Sequence, residues 1–180
     1  MAASTRVKGQ QAPSASRSVR NATLFLCMLG MCISVFAMYV EILKEKNPDY
    51  VALCDINSYI TCSRVLTSRF AKGFGIVEKI FSKTSLLNQP NTVYGMAFYT
   101  FMATLALSSS SSSAVVQTVS SIAANFGSVY LGYILLFILK DFCLVCVSTY
   151  VVNFLLLVAS VIKLRRTVHD DIQASKKKKK

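Results

Sequence analysis

The sequence ILLFILKDFCLVCVSTYVVNFLLLVASVI occupies residues 134–162, and Lys140 and Asp141 are its only charged residues. The apolar run before this pair extends back to residue 113. A helix of about 20 apolar residues is long enough to cross the ~30 Å hydrocarbon core of a bilayer. The stretch therefore predicts two membrane-spanning helices that are joined at Lys140 and Asp141 as a tight hairpin.

Two more apolar runs lie nearer the N-terminus, so the sequence predicts four transmembrane helices, at residues 21–43, 92–109, 113–139 and 142–162. A serine run at 108–113 separates the second helix from the third as a short turn. A cleaved signal peptide is a less favoured interpretation of the first run, which is longer than the apolar region of such peptides. We expect one all-α membrane domain over residues 1–180, a four-helix bundle with a lumenal loop and cap at 44–91.

Composition and charge support this prediction. Hydrophobic residues make up 53% of the 180 residues and charged residues only 16%, with a mean hydropathy of +0.49, which excludes a small soluble globule. The net charge of +12 lies mostly in the tails at 1–20 and 163–180. Basic tails indicate cytosolic ends. Because basic and aromatic residues do not interleave on a common face, nucleic-acid binding is not expected.

The loop between the first two predicted spans has a pattern of its own. Phe74, Val77 and Phe81 recur at helical spacing, which predicts a short amphipathic helix in the membrane interface. An ordinary surface helix explains the pattern equally well. Gly73 and Gly75 flank Phe74 and would let the backbone turn this aromatic ring inward.

Four of the six cysteines are expected to meet on the non-cytosolic side of the membrane. Cys54 and Cys62 lie in the long loop, and Cys143 and Cys146 begin the last span. The C-x-x-C spacing predicts two sulfurs on one helix face, close enough to form a disulfide and to lower the pKa of one thiol. Tyr150 lies one turn beyond Cys146 on the same stripe, and Asn153 continues it. The remaining two, Cys27 and Cys32, lie inside the first span and are interpreted as apolar side chains.

Three other interpretations of these cysteines compete with thiol–disulfide exchange. Zinc is disfavoured because seven residues separate Cys54 from Cys62 and no histidine is near. A purely structural disulfide and thiols without a role remain alternatives. Thiol–disulfide exchange is favoured, with one pair facing soluble partners and the other facing the substrate. No glycine-rich dinucleotide motif follows a predicted strand, so we expect no bound flavin or nicotinamide and no metal.

At these residues the sequence resembles the vitamin K epoxide reductase family. The resemblance covers about residues 49–154, and it looks closer to the reductase-like paralogue than to the coagulation-associated enzyme. The matching motifs are Ala52-Leu-Cys-Asp55, Cys62-Ser-Arg64, Ser68-Arg69, Gly73-Phe-Gly75, Leu87-Asn-Gln89, Gly95, Gly127-Ser-Val-Tyr130, Asp141-Phe-Cys143 and Thr149-Tyr150.

The resemblance implies an endoplasmic reticulum enzyme that reduces vitamin K epoxide to the quinone, and the quinone to the hydroquinone. It implies that Cys146 attacks the substrate and Cys143 resolves the adduct. The loop pair Cys54 and Cys62 would take electrons from a thioredoxin-like lumenal partner or an external dithiol and pass them from Cys62 to Cys143. Asn91 and Tyr150 would hydrogen-bond the substrate oxygens. An apolar pocket, open also to coumarin-type anticoagulants such as warfarin, would be lined by Phe74, Tyr94, Phe98 and Leu131.

The sequence departs from the family pattern at a few positions. Phe70 and Ala71 stand where Trp and Gly are common, and Met96 stands where Cys can occur. These positions concern the cap and the second span, so they bear on inhibitor affinity and cap closure rather than on the cysteines. The C-terminal lysines resemble a dilysine retrieval signal; a solvated tail that binds anionic lipid is the alternative.

Two other functions fit the same residues. A quinone-linked disulfide generator would run the cysteine relay in the opposite direction, to oxidise secretory proteins. A non-catalytic four-span scaffold would carry the thiols incidentally. The sequon at Asn21 should stay unglycosylated if the N-terminal tail is cytosolic.

Overall fold

The computed structural model describes residues 14–57, 59–77 and 88–178, and five α-helices make up most of this part of the chain. Within these ranges there is no strand, only isolated bridges, so the all-α prediction is confirmed. The helices are α1 (Ser14–Lys46), α2 (Cys62–Leu66), α3 (Asn91–Leu107), α4 (Ser111–Tyr133) and α5 (Leu144–Lys178).

Three helical stretches of the described residues are long and apolar enough to cross a membrane. They are Arg17–Lys46, Ser111–Leu139 and Leu144–Lys176. The remaining long helix, α3, has 17 residues, or about 25 Å at ~1.5 Å per residue, slightly less than the ~30 Å of a hydrocarbon core. By length and composition the structure therefore supports three spans.

The long helices pack pairwise around small residues. α1 lies against α3 and α5, and α4 lies against α5. Gly30 on α1 faces the ring of Tyr99 on α3, and Gly95 on α3 faces Ser34. Small residues let helix backbones approach closely, which matters in a bilayer because burying apolar surface between helices gains little there.

The helix ends differ from the predicted spans at three places. Only the first half of the serine run forms the connection between helices, because α4 already begins at Ser111. The hydroxyl of Ser113, in the first turn of α4, donates to the carbonyl of Ser110 (2.7 Å). After a π-helical segment at Ile134–Leu139, Lys140 takes the left-handed conformation (φ 54°) that breaks the helix. α5 then continues beyond residue 162 to Lys178, so the described part of the basic tail is helical.

The cap segment, which we define as residues 62–77, lies between α1 and α3 in the chain and lines part of the cavity described below. It contains α2 and two short 3-10 turns, Arg69–Ala71 and Gly73–Gly75. Gly73, Phe74 and Gly75 all have positive φ values (53°, 58° and 68°), a conformation that glycine adopts at little cost and phenylalanine rarely adopts. The predicted amphipathic helix extends to Phe81, and its residues from 78 onward lie outside the described residues.

Candidate active site

A cavity of about 470 Å³ lies between the long helices and the cap segment. Its wall is mostly apolar, as expected for a site that takes a hydrophobic ligand and orients it with a few polar groups. Seven of the ten predicted catalytic and substrate-binding residues line it: Phe74, Asn91, Tyr94, Phe98, Leu131, Cys146 and Tyr150. The ring of Phe74 packs on that of Tyr94 with 5.5 Å between their centroids.

The four cysteines lie together at the end of the cavity. Cys54 and Cys62 form a disulfide, with 5.8 Å between their Cα atoms, while Cys143 and Cys146 are free thiols. Cys54, Cys62 and Cys143 are buried in one hydrophobic cluster, against which Cys146 packs. Of the four residues only Cys146 lines the cavity. Cys143 thus packs with the loop disulfide, whereas Cys146, the other cysteine of the C-x-x-C motif, faces the cavity.

Cys143 immediately precedes α5, whereas the sequence predicted both thiols of the motif on one helical face. Its carbonyl accepts the backbone N–H of Val147 (3.0 Å), and its Sγ accepts the N–H of Cys146 (3.4 Å). Cys143 is therefore the N-cap of α5, a position at which N–H groups and the helix dipole stabilise a thiolate. The prediction was wrong on this point because periodicity does not show where a helix begins.

Main-chain and side-chain contacts attach the cysteine-bearing loop to the start of α5. The N–H of Phe142 donates to the carbonyl of Tyr59 (2.8 Å), and Ile60 pairs with Phe142 as an isolated parallel bridge. The guanidinium of Arg64 lies 3.3 Å from the carboxylate of Asp141. These contacts hold the segment around Cys62 beside the segment before Cys143.

Asp55 organises the loop between the two disulfide-bonded cysteines. Its carboxylate accepts hydrogen bonds from the hydroxyl of Ser63 (2.6 Å), the amide of Ser63 (3.0 Å) and the amide of Ala52 (2.9 Å). Burial raises the pKa of Asp55, but hydrogen bonds from Ser63, Ala52 and Cys62 outweigh burial and hold the pKa below its ordinary value. The loop is thus built around an ionised carboxylate.

Asn91, at the first turn of α3, holds the cap segment over the cavity. Its amide nitrogen donates to the carbonyl of Phe70 (2.8 Å), and its Oδ1 accepts the N–H of Phe74 (3.0 Å). A carboxamide has two N–H groups, so one donor of Asn91 is left for a ligand. The side chain anchors the left-handed turn at Phe74, a role that the sequence did not suggest.

Tyr150 and Asn153 extend the polar surface of α5 deeper into the bundle. Among the described residues the hydroxyl of Tyr150 has no hydrogen-bond partner, although it lines the cavity. Asn153 accepts from the hydroxyl of Tyr99 (3.0 Å) and donates to Ser128 (2.9 Å), which joins α3, α4 and α5. A phenol in an apolar environment favours a hydrogen-bond partner, which a bound ligand would supply to Tyr150.

Sequence reasoning assigned no site role to several polar residues that line the cavity, among them Glu41, Ser68 and Thr92. Glu41 and Thr92 are buried, and the hydroxyl of Thr92 donates to Glu41 Oε2 (3.3 Å). The signal for Glu41 was present, since it is the first charge within an apolar run, and ionisable residues in such runs are commonly functional.

Within the described ranges one group of side chains has the spacing of metal ligands, Cys54, Asp55 and Cys62. The sulfurs of this group are joined to each other as the disulfide. A disulfide sulfur is a poor substitute for the thiolate that zinc requires. The group is therefore better described as a redox-active pair beside a carboxylate.

Comparison with known proteins identifies the family. The model of the vitamin K epoxide reductase family matches residues 21–161 of the chain. The chain belongs to this family. It is 40% identical over 148 residues to vitamin K epoxide reductase complex subunit 1 of Rattus norvegicus, which covers 82% of this chain and 92% of the relative. The protein of the same name from Mus musculus is 40% identical over 141 residues, or 78% of this chain and 88% of the relative.

The matched region of this family member includes all four cysteines, the cap segment and the cavity. It begins at residue 21, within α1, and ends at residue 161, within α5. The apolar cavity, the free C-x-x-C thiols and the loop disulfide therefore belong to the part of the chain that defines the family. The predicted family membership is confirmed.

Proposed function

We propose that this chain is a membrane oxidoreductase that reduces vitamin K epoxide to the quinone and the quinone to the hydroquinone. The observation that carries the proposal is the order of the sulfurs: Cys146 lines the apolar cavity, and Cys143 lies behind it in the cluster of the Cys54–Cys62 disulfide. The matched relatives are named vitamin K epoxide reductases. A fused aromatic quinone with an apolar side chain suits a cavity of this size and polarity.

The cysteines act as a relay in this proposal. Cys146 attacks the substrate ring, and Cys143 then attacks the Cys146 sulfur, which forms their disulfide and releases the reduced product. Cys62, in the same cluster as Cys143, returns electrons to it. A thioredoxin-like lumenal protein reduces the Cys54–Cys62 disulfide, and a small external dithiol can replace that protein. No bound cofactor is needed, because a dithiol supplies both electrons and both protons.

Asn91 and Tyr150 bind the substrate oxygens as negative charge develops on them. Both residues line the cavity, and each keeps an uncommitted donor. By analogy with oxyanion holes, a donor in a dry pocket contributes about 2–4 kcal/mol to a transition state. The rings of Phe74, Tyr94 and Phe98 and the side chain of Leu131 hold the apolar part of the substrate, and coumarin-type anticoagulants occupy the same space.

The proposed setting is the endoplasmic reticulum membrane, with α3 as a fourth span and both termini in the cytosol. Four crossings bring both basic tails to one side, as the positive-inside rule favours. The same arrangement places the loop disulfide and the start of α5 in the oxidising lumen, where disulfides persist. α3 lacks charged residues throughout its 17 positions, which fits a short span packed inside the bundle.

The test is an assay of the purified protein with vitamin K epoxide and a small dithiol. Wild-type protein should form quinone and hydroquinone, and Cys146→Ser should not. Cys32→Ser is the matched control, because this exposed thiol on α1 does not line the cavity, and it should keep wild-type turnover. An inactive wild type, or an active Cys146→Ser variant, would contradict the proposal.

A second assay tests the direction and the role of the loop pair. Cys54→Ala combined with Cys62→Ala should abolish turnover driven by a thioredoxin-like donor and retain turnover driven by the small dithiol. Loss of both activities would indicate that the Cys54–Cys62 disulfide has a structural role rather than a role in electron transfer. Faster oxidation of a protein dithiol than reduction of the epoxide would favour the disulfide generator instead.

A further inference from the structure

Two buried polar atoms of cavity-lining residues lack partners among the described residues. Glu41 Oε1 and Ser68 Oγ are shielded from solvent and make no hydrogen bond within the described part of the chain. Both residues line the cavity, and Glu41 is only 3% exposed. Buried polar groups are nearly always satisfied, and the cavity that both residues line is the space from which a polar group of a ligand can complete these two atoms.

The surroundings of Glu41 leave its carboxyl without a paired cation. The nearest charged side chains on neighbouring segments are Glu45, one turn along α1, and Lys72 in the cap segment, and these two form an ion pair of 2.7 Å with each other. α3 contributes the neutral hydroxyl of Thr92, and α5 contributes Cys146 and Tyr150 to the same cavity. Burying a carboxylate without an ion pair is costly, whereas a protonated carboxyl keeps a donor for the cavity.

Reducing a quinone needs a proton at each ring oxygen, and the two residues proposed to bind those oxygens differ in their ability to give one. Tyr150 has an acidic hydroxyl, but Asn91 can donate a hydrogen bond and cannot release its proton. Glu41 is bonded to Thr92, the residue that follows Asn91. Among the cavity-lining residues it is the only carboxyl in the described ranges.

We propose that Glu41 is a catalytic acid, which gives a proton to the quinone oxygen bound at the Asn91 end of the cavity. This inference rests on the proposed function, because it takes a quinone as the substrate. Ser68 donates a hydrogen bond to the same oxygen. The pair thus adds polar groups to a cavity that Cys146, Asn91 and Tyr150 also line.

The step balances with the residues named. The Cys143 and Cys146 thiols together lose two electrons and two protons as their S–S bond forms, and the quinone gains two electrons. Its oxygens take two protons, one of them from the Glu41 carboxyl. The Glu41 carboxylate is then reprotonated by a proton that the thiols release, so it ends the cycle as it began.

The experiment compares Glu41→Gln with wild type in turnover driven by a small dithiol, with vitamin K quinone as the probe. Glutamine keeps the shape and accepts from Thr92 but carries no acidic proton, so kcat should fall about 100-fold, as for loss of a general acid. KM should not change. The wild-type decline of kcat at alkaline pH should be absent from the variant. Glu41→Asp should restore part of the rate and the alkaline decline.

Asp49→Asn is the matched control, because Asp49 is exposed, does not line the cavity and, within the described part of the chain, does not interact with Glu41. It should keep the wild-type kcat and pH profile. Wild-type kcat in Glu41→Gln, or a raised KM with an unchanged kcat, would overturn the inference. If wild type itself shows no turnover, the proposed function fails; if wild type is active and Glu41→Gln equals it, only this inference fails.

Infrared difference spectroscopy on wild type covers the case in which Glu41→Gln does not fold. Adding quinone to the dithiol-reduced protein should perturb the C=O stretch of a protonated carboxyl, and the band should shift in Glu41→Asp. A wild-type spectrum without such a band would overturn the inference. A band that is identical in Glu41→Asp would assign the signal to another carboxyl and would overturn it equally.

Discussion

The guanidinium of Arg64 lies 3.3 Å from the carboxylate of Asp141, and this ion pair joins the helix that begins at Cys62 to the turn that precedes Cys143. The Arg64 side chain is 66% exposed, whereas that of Asp141 is only 4% exposed. The two partners therefore depend on each other unequally. Arg64 is hydrated without Asp141, but Asp141 without Arg64 is a buried charge that has lost its cation.

Arg64→Met should cost more stability than Asp141→Asn. Arg64→Met leaves a buried carboxylate without its cation and should lower the free energy of unfolding by about 1–2 kcal/mol. Asp141→Asn leaves an exposed guanidinium and should lower it by less than about 1 kcal/mol. Thermal unfolding of the two variants measures both losses of stability. Arg64→Met should also slow turnover by a thioredoxin-like donor more than turnover by a small dithiol. Equal losses from both substitutions would contradict the burial argument.

Asn91→Ala should weaken substrate binding by releasing the cap segment. The change removes the bonds to Phe70 and Phe74, each contributing about 1 kcal/mol, so KM should rise roughly 30-fold. Protease cleavage within the cap segment should accelerate as well. Thr100→Val, on an exposed position of α3, is the control and should change neither. An unchanged cleavage rate would show that Asn91 does not hold the cap segment.

Acidification should loosen the loop around Asp55. Because the folded-state pKa of Asp55 is lowered, the stabilisation is complete above the ordinary pKa and is lost as pH falls through the lowered value. Hydrogen exchange of the amides of Ala52 and Ser63 should therefore speed up at acidic pH. Asp55→Asn should show fast exchange already at neutral pH, with about 2 kcal/mol less local stability.

The control for this prediction is Asp49→Asn, because Asp49 is exposed in the same loop. Its exchange rates should follow those of wild type at every pH. Exchange in wild type that does not vary between neutral and acidic pH would contradict the role assigned to the Asp55 carboxylate.

Gly30→Ala should destabilise the bundle, because a Cβ there would overlap the ring of Tyr99. Overpacking of this kind costs about 1–3 kcal/mol, and displacing the ring would also disturb its bond to Asn153. Gly127→Ala is the matched change on α4, where a Cβ meets nothing within 4 Å. It should leave stability unchanged or raise it by up to about 1 kcal/mol. Thermal unfolding in detergent distinguishes the two, and equal melting temperatures would contradict the close approach of α1 and α3.

Much of this arrangement follows from local sequence signals. Apolar runs mark the long helices, and a C-x-x-C with Tyr150 one turn beyond marks the cavity-facing side of α5. The positions that escaped prediction depend on contacts between distant segments. The N-cap role of Cys143 requires knowing where α5 begins, and the orphaned oxygen of Glu41 appears only when α1, α3 and the cap segment are assembled.

The predicted role of Asn91 shows the same limit in another way. The resemblance assigned this residue to the substrate, and the structure also binds its carboxamide to the backbone of Phe70 and Phe74. Sequence spacing gives no indication of a contact between α3 and a left-handed turn 17 residues earlier. The paralogue assignment, the sidedness of the membrane and the electron donor stay predictions.

The most direct test of the account is differential alkylation of the purified protein followed by mass spectrometry. Protein reduced with a small dithiol and freed of it should have alkylatable thiols at Cys143 and Cys146. Adding vitamin K quinone should convert them to a disulfide, with one hydroquinone formed for each pair oxidised. Thiols at Cys143 and Cys146 that remain fully alkylatable after quinone is added would contradict the account.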